Sequence, residues 1–132
     1  MRKFKFSKLV RDKIVEQIIS NNNRPNWRKL TDSEYIQELK NKIVEEAIEV
    51  PKTKNSTEVV MELADIQEVI DNLLKILKVS KKEFSKIQKT KNLKAGSFKN
   101  KQYIESVEVN SKDTEWLNYY LVNPDKYPEI KK

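Results

Sequence analysis

The most regular hydrophobic pattern in the chain runs from residue 59 to residue 77. Its apolar positions step by four and three, the spacing of one helix face, and they are Val59, Leu63, Ile66, Ile70, Leu73 and Leu77. A seam of this heptad type needs a partner surface, because on an isolated helix its apolar side chains would stay exposed to water. We therefore expect this helix to bury its seam against another helix of the chain or against another subunit.

A second amphipathic helix precedes this one. Thr31 and Glu34 have the spacing of a capping box, which opens a helix. Pro51 ends it, because the residue before a proline is pushed out of α geometry. The apolar face again steps by three and four, through Ile36, Leu39, Ile43, Ala47 and Val50. Asn55 and Glu58 provide a similar start for the helix of the seam.

Each of these helices carries two carboxylates three residues apart at the edge of its apolar face. The pairs are Glu46 with Glu49, and Glu62 with Asp65. Residues three apart are neighbours on a helix surface, so side-by-side packing would bring four carboxylates together. Like charges in close reach take up protons or bind metal. An all-oxygen site of this kind suits Mg²⁺ or Mn²⁺.

A competing pair has the same spacing further along the seam helix. Glu68 and Asp71 lie on the other side of the seam, so they cannot share a site with Glu62 and Asp65 unless a different helix faces them. Any acid taken singly fits an ordinary solvated helix face.

The remaining segments complete an all-α fold. Residues 8–21 and the segment that opens at Ser80 predict two more helices, residues 103–109 predict a short strand, and residues 113–121 predict a last helix. We predict a four-helix-bundle-like core of antiparallel helices with a short C-terminal β ribbon and a further short helix. One domain would span residues 1–132, with a core at 8–98 and an extension at 99–132.

Gly96 is the only glycine in the chain. A glycine at a helix end supplies the left-handed C-terminal position. Its second interpretation adds a phosphate-binding loop, because the backbone beside a glycine can approach a ligand closely.

The residue types that are missing limit the chemistry. The chain has no histidine and no cysteine, which excludes Ser-His and Cys-His nucleophilic pairs, thiolate metal sites and disulfides. A hydrophobic content of 37% gives a lean core that a partner subunit could complete. Without an apolar run behind the basic start or a long apolar stretch elsewhere, we expect neither a signal peptide nor a membrane partner, and a cytoplasmic protein.

Charge is unevenly distributed along the sequence. Residues 75–101 hold ten lysines against Glu83 alone, whereas residues 34–71 hold ten acids against four lysines. An acidic middle flanked by basic segments suits a metal-plus-phosphate site, although scattered lysines also fit solvated surfaces.

Together these motifs resemble the all-α nucleoside triphosphate pyrophosphohydrolases, the MazG-like group that includes phosphoribosyl-ATP pyrophosphohydrolase. The pattern Glu46-x-x-Glu49, twelve residues, then Glu62-x-x-Asp65 matches the signature of that group. Two flanking stretches look like its phosphoribosyl-ATP pyrophosphohydrolase-like branch, residues 8–14 (KLVRDKI) and residues 91–98 (KNLKAGSF). The resemblance spans residues 8–98.

The resemblance implies Mg²⁺-dependent hydrolysis of a nucleotide substrate between its α- and β-phosphates, in a homodimer or homotetramer. By this resemblance Glu46, Glu49, Glu62 and Asp65 are the metal ligands, with Mn²⁺ as an alternative ion and one carboxylate as a base. The candidate phosphate contacts are Arg11, Lys13, Lys91 and Lys94, and Asp12 is a candidate to orient Arg11.

Two alternatives belong to other classes. Lysine clusters and a pI near 9.4 permit a nucleic-acid-binding module, but no recognition-helix or zinc motif accompanies them, so we do not expect a nucleic-acid partner. A helical interaction protein that keeps the fold without the chemistry is the other alternative. Trp27, Tyr35 and Tyr103 could each stack on a base or fill the core.

Overall fold

The computed structural model describes residues 1–131, and the regular secondary structure in that range is helical, with no strand among those residues. The helices are α1 (Ile14–Ser20), α2 (Asp32–Glu49), α3 (Ser56–Ile76), α4 (Lys81–Ala95) and α5 (Thr114–Leu121), and a 3₁₀ turn at Val50–Lys52 follows α2. The all-α prediction is confirmed. The chain forms two compact units, Met1–Lys94 and a C-terminal unit that begins at Ala95.

The centre of the first unit is an antiparallel hairpin of α2 and α3. The N-termini of both helices are capped as the sequence predicts. The Thr31 hydroxyl accepts a hydrogen bond from the Glu34 backbone N–H while the Glu34 carboxylate accepts one from that of Thr31, and the Asn55 side chain accepts one from the Glu58 N–H. Such caps satisfy backbone donors that a helix start leaves free.

The core of this hairpin is small. Among the described residues only Leu39 of α2 and Val69 of α3 are buried. Val69 was not part of the predicted seam, and two seam residues, Leu63 and Leu77, are half exposed, at 51% and 50%. The other four seam residues are partly buried, and they are Val59, Ile66, Ile70 and Leu73. The covered face of α3 thus agrees with the predicted seam in part, but it includes Glu62 and Val69 in place of Leu63 and Leu77.

The first helix begins later than predicted. Residues 8–13 are not helical, and α1 starts at Ile14 after an N-cap, Lys13, whose side chain makes no capping hydrogen bond. Ser7, directly before the predicted start, is a residue type that caps helices, but its φ of +48° differs from the extended backbone of an N-cap, so no helix begins there.

The predicted four-helix-bundle-like core is not formed within the first unit. Only α2 and α3 share an extensive helix–helix interface among the described residues, and every residue of α4 is exposed. The physical reason is composition, because α4 carries six lysines and few apolar residues on which another helix could pack.

The predicted β ribbon is also absent. Residues 103–109 lie in the C-terminal unit and have no regular structure, with Tyr103 and Ile104 exposed. A strand needs a neighbouring strand to pair with its backbone N–H and C=O groups, and an isolated two-stranded ribbon is only marginally stable in water. That unit instead contains α5, on which Trp116, Tyr119 and Tyr120 contact one another, and Tyr127 packs against Tyr119 and Tyr120 at ring distances of 5.7 and 5.0 Å.

Gly96 follows the last residue of α4 and has a φ of +82°. The left-handed C-terminal position is therefore confirmed. A Cβ built on Gly96 would have no atom within 4 Å, so backbone conformation, and not a close approach within the chain, calls for glycine there. No helix among residues 1–131 has the length and hydrophobicity needed to cross a membrane.

The hairpin's dependence on its small core can be tested with Leu39→Ala. Removing a buried leucine side chain leaves a cavity, so we expect a loss of about 2 to 4 kcal/mol in the free energy of unfolding, measured by urea denaturation. Leu93→Ala is the matched control, since Leu93 is 90% exposed on α4. Equal losses in the two variants would contradict a core centred on Leu39.

Candidate metal centre

Three of the four predicted acids meet at one end of the hairpin. Glu46 of α2 and Glu62 and Asp65 of α3 each offer one carboxylate oxygen, and these oxygens all lie within 4.8 Å of one another. The antiparallel packing of α2 and α3 brings them together, since Glu46 lies shortly before the connection and Glu62 shortly after it. The Glu46 side chain is largely covered, at 17% exposure.

Glu49, the fourth predicted acid, lies next to this cluster but is not part of it. It lines an open cavity of about 220 Å³ together with Glu62 of the cluster, and the other lining residues are Lys52, Thr53, Glu58 and Met61. The Nζ atom of Lys52 is 3.5 Å from Oε1 of Glu49. The structure thus places a cavity of mixed charge next to a three-carboxylate cluster, and Glu62 belongs to both.

The electrostatics of the cluster are most evident at Glu62. Desolvation raises the pKa of Glu62, and the charges of Asp65, Glu46 and Glu49 raise it further. Each of these neighbours repels the ionised form of Glu62. A cation between the carboxylates would relieve that repulsion.

Basic side chains pair with several of these acids. Nη2 of Arg11 is 2.6 Å from Oδ1 of Asp65, and Nζ of Lys42 is 3.8 Å from Oε1 of Glu46. Arg11 is therefore beside the cluster, as its candidate role requires, but it pairs with Asp65 and not with its neighbour Asp12.

Three further basic residues were predicted at the site, Lys13, Lys91 and Lys94. No ion pair or hydrogen bond among the described residues links them to the cluster. Lys13 is exposed at the N-cap of α1. Lys91 and Lys94 are exposed on α4 and form no ion pair among residues 1–131. The competing acids Glu68 and Asp71 accept hydrogen bonds from the amides of Asn72 and Gln67.

Lys42, Lys52 and Thr53 are site neighbours that the sequence reasoning missed. Two of these residues could have been predicted from local spacing. Lys42 precedes Glu46 by four residues and Lys52 follows Glu49 by three, which are the spacings of ion pairs on a helix. Arg11 and Asp65 are 54 residues apart, so no local spacing could have indicated their pairing.

The donor set fits a hard divalent cation. Three carboxylates, with no nitrogen or sulfur donor, match the oxygen preference of Mg²⁺ and Mn²⁺, and a Mg²⁺ site usually keeps several waters besides one or two carboxylates. Glu46, Glu62 and Asp65 could therefore hold such an ion.

In comparisons with known proteins, the chain matches no family model, no curated protein and no solved structure. The resemblance to the MazG-like enzymes therefore stays a prediction that rests on the motifs.

The pH dependence of stability tests the repulsion at Glu62. Its folded pKa is raised above the ordinary 4.5, so the contribution of Glu62 to stability is most favourable below pH 4.5 and becomes less favourable as the pH rises through the folded pKa. We expect Glu62→Gln to be more stable than the parent protein at pH 7, and to lose this advantage below about pH 4.5. Thermal melts followed by circular dichroism across this range check it.

The matched control is Glu68→Gln, which makes the same change on the exposed side of α3. A pH profile of Glu68→Gln that coincides with that of Glu62→Gln would show that the cluster is not the source of the effect.

Proposed function

We propose that this chain is a Mg²⁺-dependent nucleotide pyrophosphohydrolase of the MazG-like kind, which cleaves a nucleoside triphosphate or related nucleotide into a monophosphate and pyrophosphate. The observation that supports this most strongly is the convergence of Glu46, Glu62 and Asp65 within 4.8 Å beside an open cavity. Mn²⁺ is the alternative ion.

In this proposal the three clustered carboxylates bind the cation and the cavity receives the phosphate chain. Glu46, Glu62 and Asp65 would hold a divalent ion there, which would supply Lewis-acid activation of the attacking water and would offset negative charge on the leaving pyrophosphate. Lys52 and Thr53 line the cavity, where an ammonium group and a hydroxyl can bind phosphate oxygens.

Glu49 is the carboxylate best placed to act as the base. It lies on the cavity and outside the three-oxygen cluster. Its Oε1 is 3.5 Å from Nζ of Lys52, and its other oxygen, Oε2, is the one that would take a proton from water. The water oxygen forms a bond to the α-phosphorus, the bond to the bridging oxygen breaks, and pyrophosphate leaves with that bond's electron pair. Lys13, Lys91 and Lys94 remain candidate phosphate contacts on the resemblance alone.

We also propose that two copies of the chain associate through the hairpin. With only Leu39 and Val69 buried among the described residues, one copy leaves much apolar surface in water, and large exposed apolar patches mark interaction surfaces. The exposed apolar residues of α2 and α3 near the cluster are Val44, Ile48, Val60, Met61 and Leu63. Two hairpins packed on this surface would make the four-helix core that one chain lacks.

The function is tested by incubating the purified protein with a panel of nucleoside and deoxynucleoside triphosphates, with and without Mg²⁺, and measuring pyrophosphate. We expect Mg²⁺-dependent release, reduced about 100-fold or more in Glu49→Gln and in Asp65→Asn. Glu68→Gln keeps the parent rate, since Glu68 lies outside the cluster. Equal losses in all three variants, or no pyrophosphate from any nucleotide, would count against the enzyme.

The alternative function has one observation in its favour, the exposed helix α4 with its lysines at positions 81, 82, 86, 89, 91 and 94. Salt-sensitive binding of DNA or RNA without pyrophosphate release would support that nucleic-acid-binding module instead.

The association is tested with Leu63→Lys, which puts a charge into the proposed contact. We expect the parent protein to be a dimer or tetramer and the variant to shift toward the monomer, by light scattering after size-exclusion chromatography. Leu121→Lys is the matched control, because Leu121 on α5 is equally exposed, 52% against 51%. A monomeric parent protein would contradict this proposal.

A further inference from the structure

One ion pair in the first unit links the N-terminal segment to the candidate metal centre. The Arg11 guanidinium donates a hydrogen bond to Oδ1 of Asp65 at 2.6 Å, across 54 residues of sequence. Asp65 is one of the three carboxylates whose oxygens converge. The same carboxylate therefore faces both the positive charge of Arg11 and the position that a divalent ion would take.

The backbone near Arg11 is held in place independently of this pair. Leu9 and Val10 are partly buried, Lys8 lies 3.3 Å from Glu45 on α2, and the Arg11 carbonyl accepts a hydrogen bond from the Ile14 N–H. The Arg11 side chain itself is 60% exposed. Its long, flexible stem can thus move while the segment stays on the hairpin.

The pair is of the kind that a stronger ligand can displace. Ion pairs between exposed side chains contribute little net stability, because water screens them and ordering both side chains costs entropy. A divalent ion carries twice the charge of a guanidinium and would be bound by three carboxylates at once. Arg11, once released, has a planar donor group that suits phosphate oxygens.

We propose that Arg11 is a displaceable counter-ion of the metal centre: Arg11 and a divalent cation compete for Asp65, and the released guanidinium binds the phosphates of the nucleotide. This inference rests on the proposed function, and it adds an order of binding. The cation binds first and frees Arg11, so cation binding strengthens phosphate binding through this residue.

The displacement can be observed directly in the unmodified protein. The chain has only four arginines, Arg2, Arg11, Arg24 and Arg28, so their side-chain Nε–Hε signals can be resolved by NMR and assigned with Arg-to-Lys variants. Arg28 is an internal control, because it forms a 2.6 Å ion pair with Glu34, with exposures of 65% and 40% against 60% and 40% for Arg11 and Asp65.

During a titration with Mg²⁺ we expect the Arg11 signal to move and to exchange faster with water, while the Arg28 signal stays unchanged. Adding inorganic pyrophosphate to the Mg²⁺-loaded protein then shifts the Arg11 signal again. If the Arg11 and Arg28 signals both stay unchanged while Mg²⁺ shifts the carboxyl signals of Glu62 and Asp65, the counter-ion proposal is wrong and the metal site stands.

Calorimetry with two matched variants gives a second readout. Arg11→Gln removes the competitor, so we expect Mn²⁺ to bind about threefold to fivefold more tightly, the scale of an exposed ion pair. Pyrophosphate binding to the Mn²⁺-loaded variant weakens. Lys8→Gln removes the same charge from the same segment, and we expect it to change both affinities clearly less, because Lys8 pairs with Glu45 outside the cluster.

Equal effects of Arg11→Gln and Lys8→Gln would mean that Arg11 acts only through its positive charge and not through its contact with Asp65. That result would overturn this inference and leave the proposed function standing. Absence of any Mg²⁺ or Mn²⁺ binding by the parent protein would overturn the proposed function together with it.

Discussion

The contact between α2 and α3 is the interaction on which the first unit depends. Leu39 and Val69 are its only buried residues among those described, and packing the two helices around them forces Glu46, Glu62 and Asp65 together. The burial is favourable and the clustering of like charge is not. Arg11 and Lys42 each lie within 4 Å of one of these acids and partly offset the repulsion. Stability and the candidate site are thus linked through the same pair of helices.

Glu62 differs from the other acids around the cluster in having no basic partner among the described residues. Asp65, Glu46 and Glu49 each have a basic side chain within 4 Å, whereas Glu62 has no such partner among the described residues and is the acid whose pKa is raised. Glu62 is also the acid shared by the cluster and the cavity. It therefore lies where the negative charge is least compensated, and where a bound cation would gain the most electrostatic energy.

The chain's own apolar surface connects the proposed chemistry with the proposed association. Because α3 turns Glu62 and Asp65 toward α2, it turns Leu63 and its neighbours outward, where they are half exposed. The orientation of α3 thus brings Glu62 and Asp65 toward Glu46 and leaves apolar side chains exposed. A monomer would leave these side chains in water, whereas the proposed second hairpin would cover them.

The sequence by itself determined where the main helices begin and end, which chemistry is excluded, and which acids could meet. Caps such as Thr31 and Asn55, the proline at position 51 and the glycine at position 96 act on neighbouring residues, so local reasoning can find them. Only the tertiary structure decided that Val69 and not Leu63 is buried, that α4 stays unpacked, that Glu49 lies outside the cluster, and that Arg11 meets Asp65. The physical reason is that residue spacing along one helix does not fix which of two neighbouring positions is covered, and does not reveal a contact across 54 residues of sequence. Both depend on how segments of the chain pack on one another.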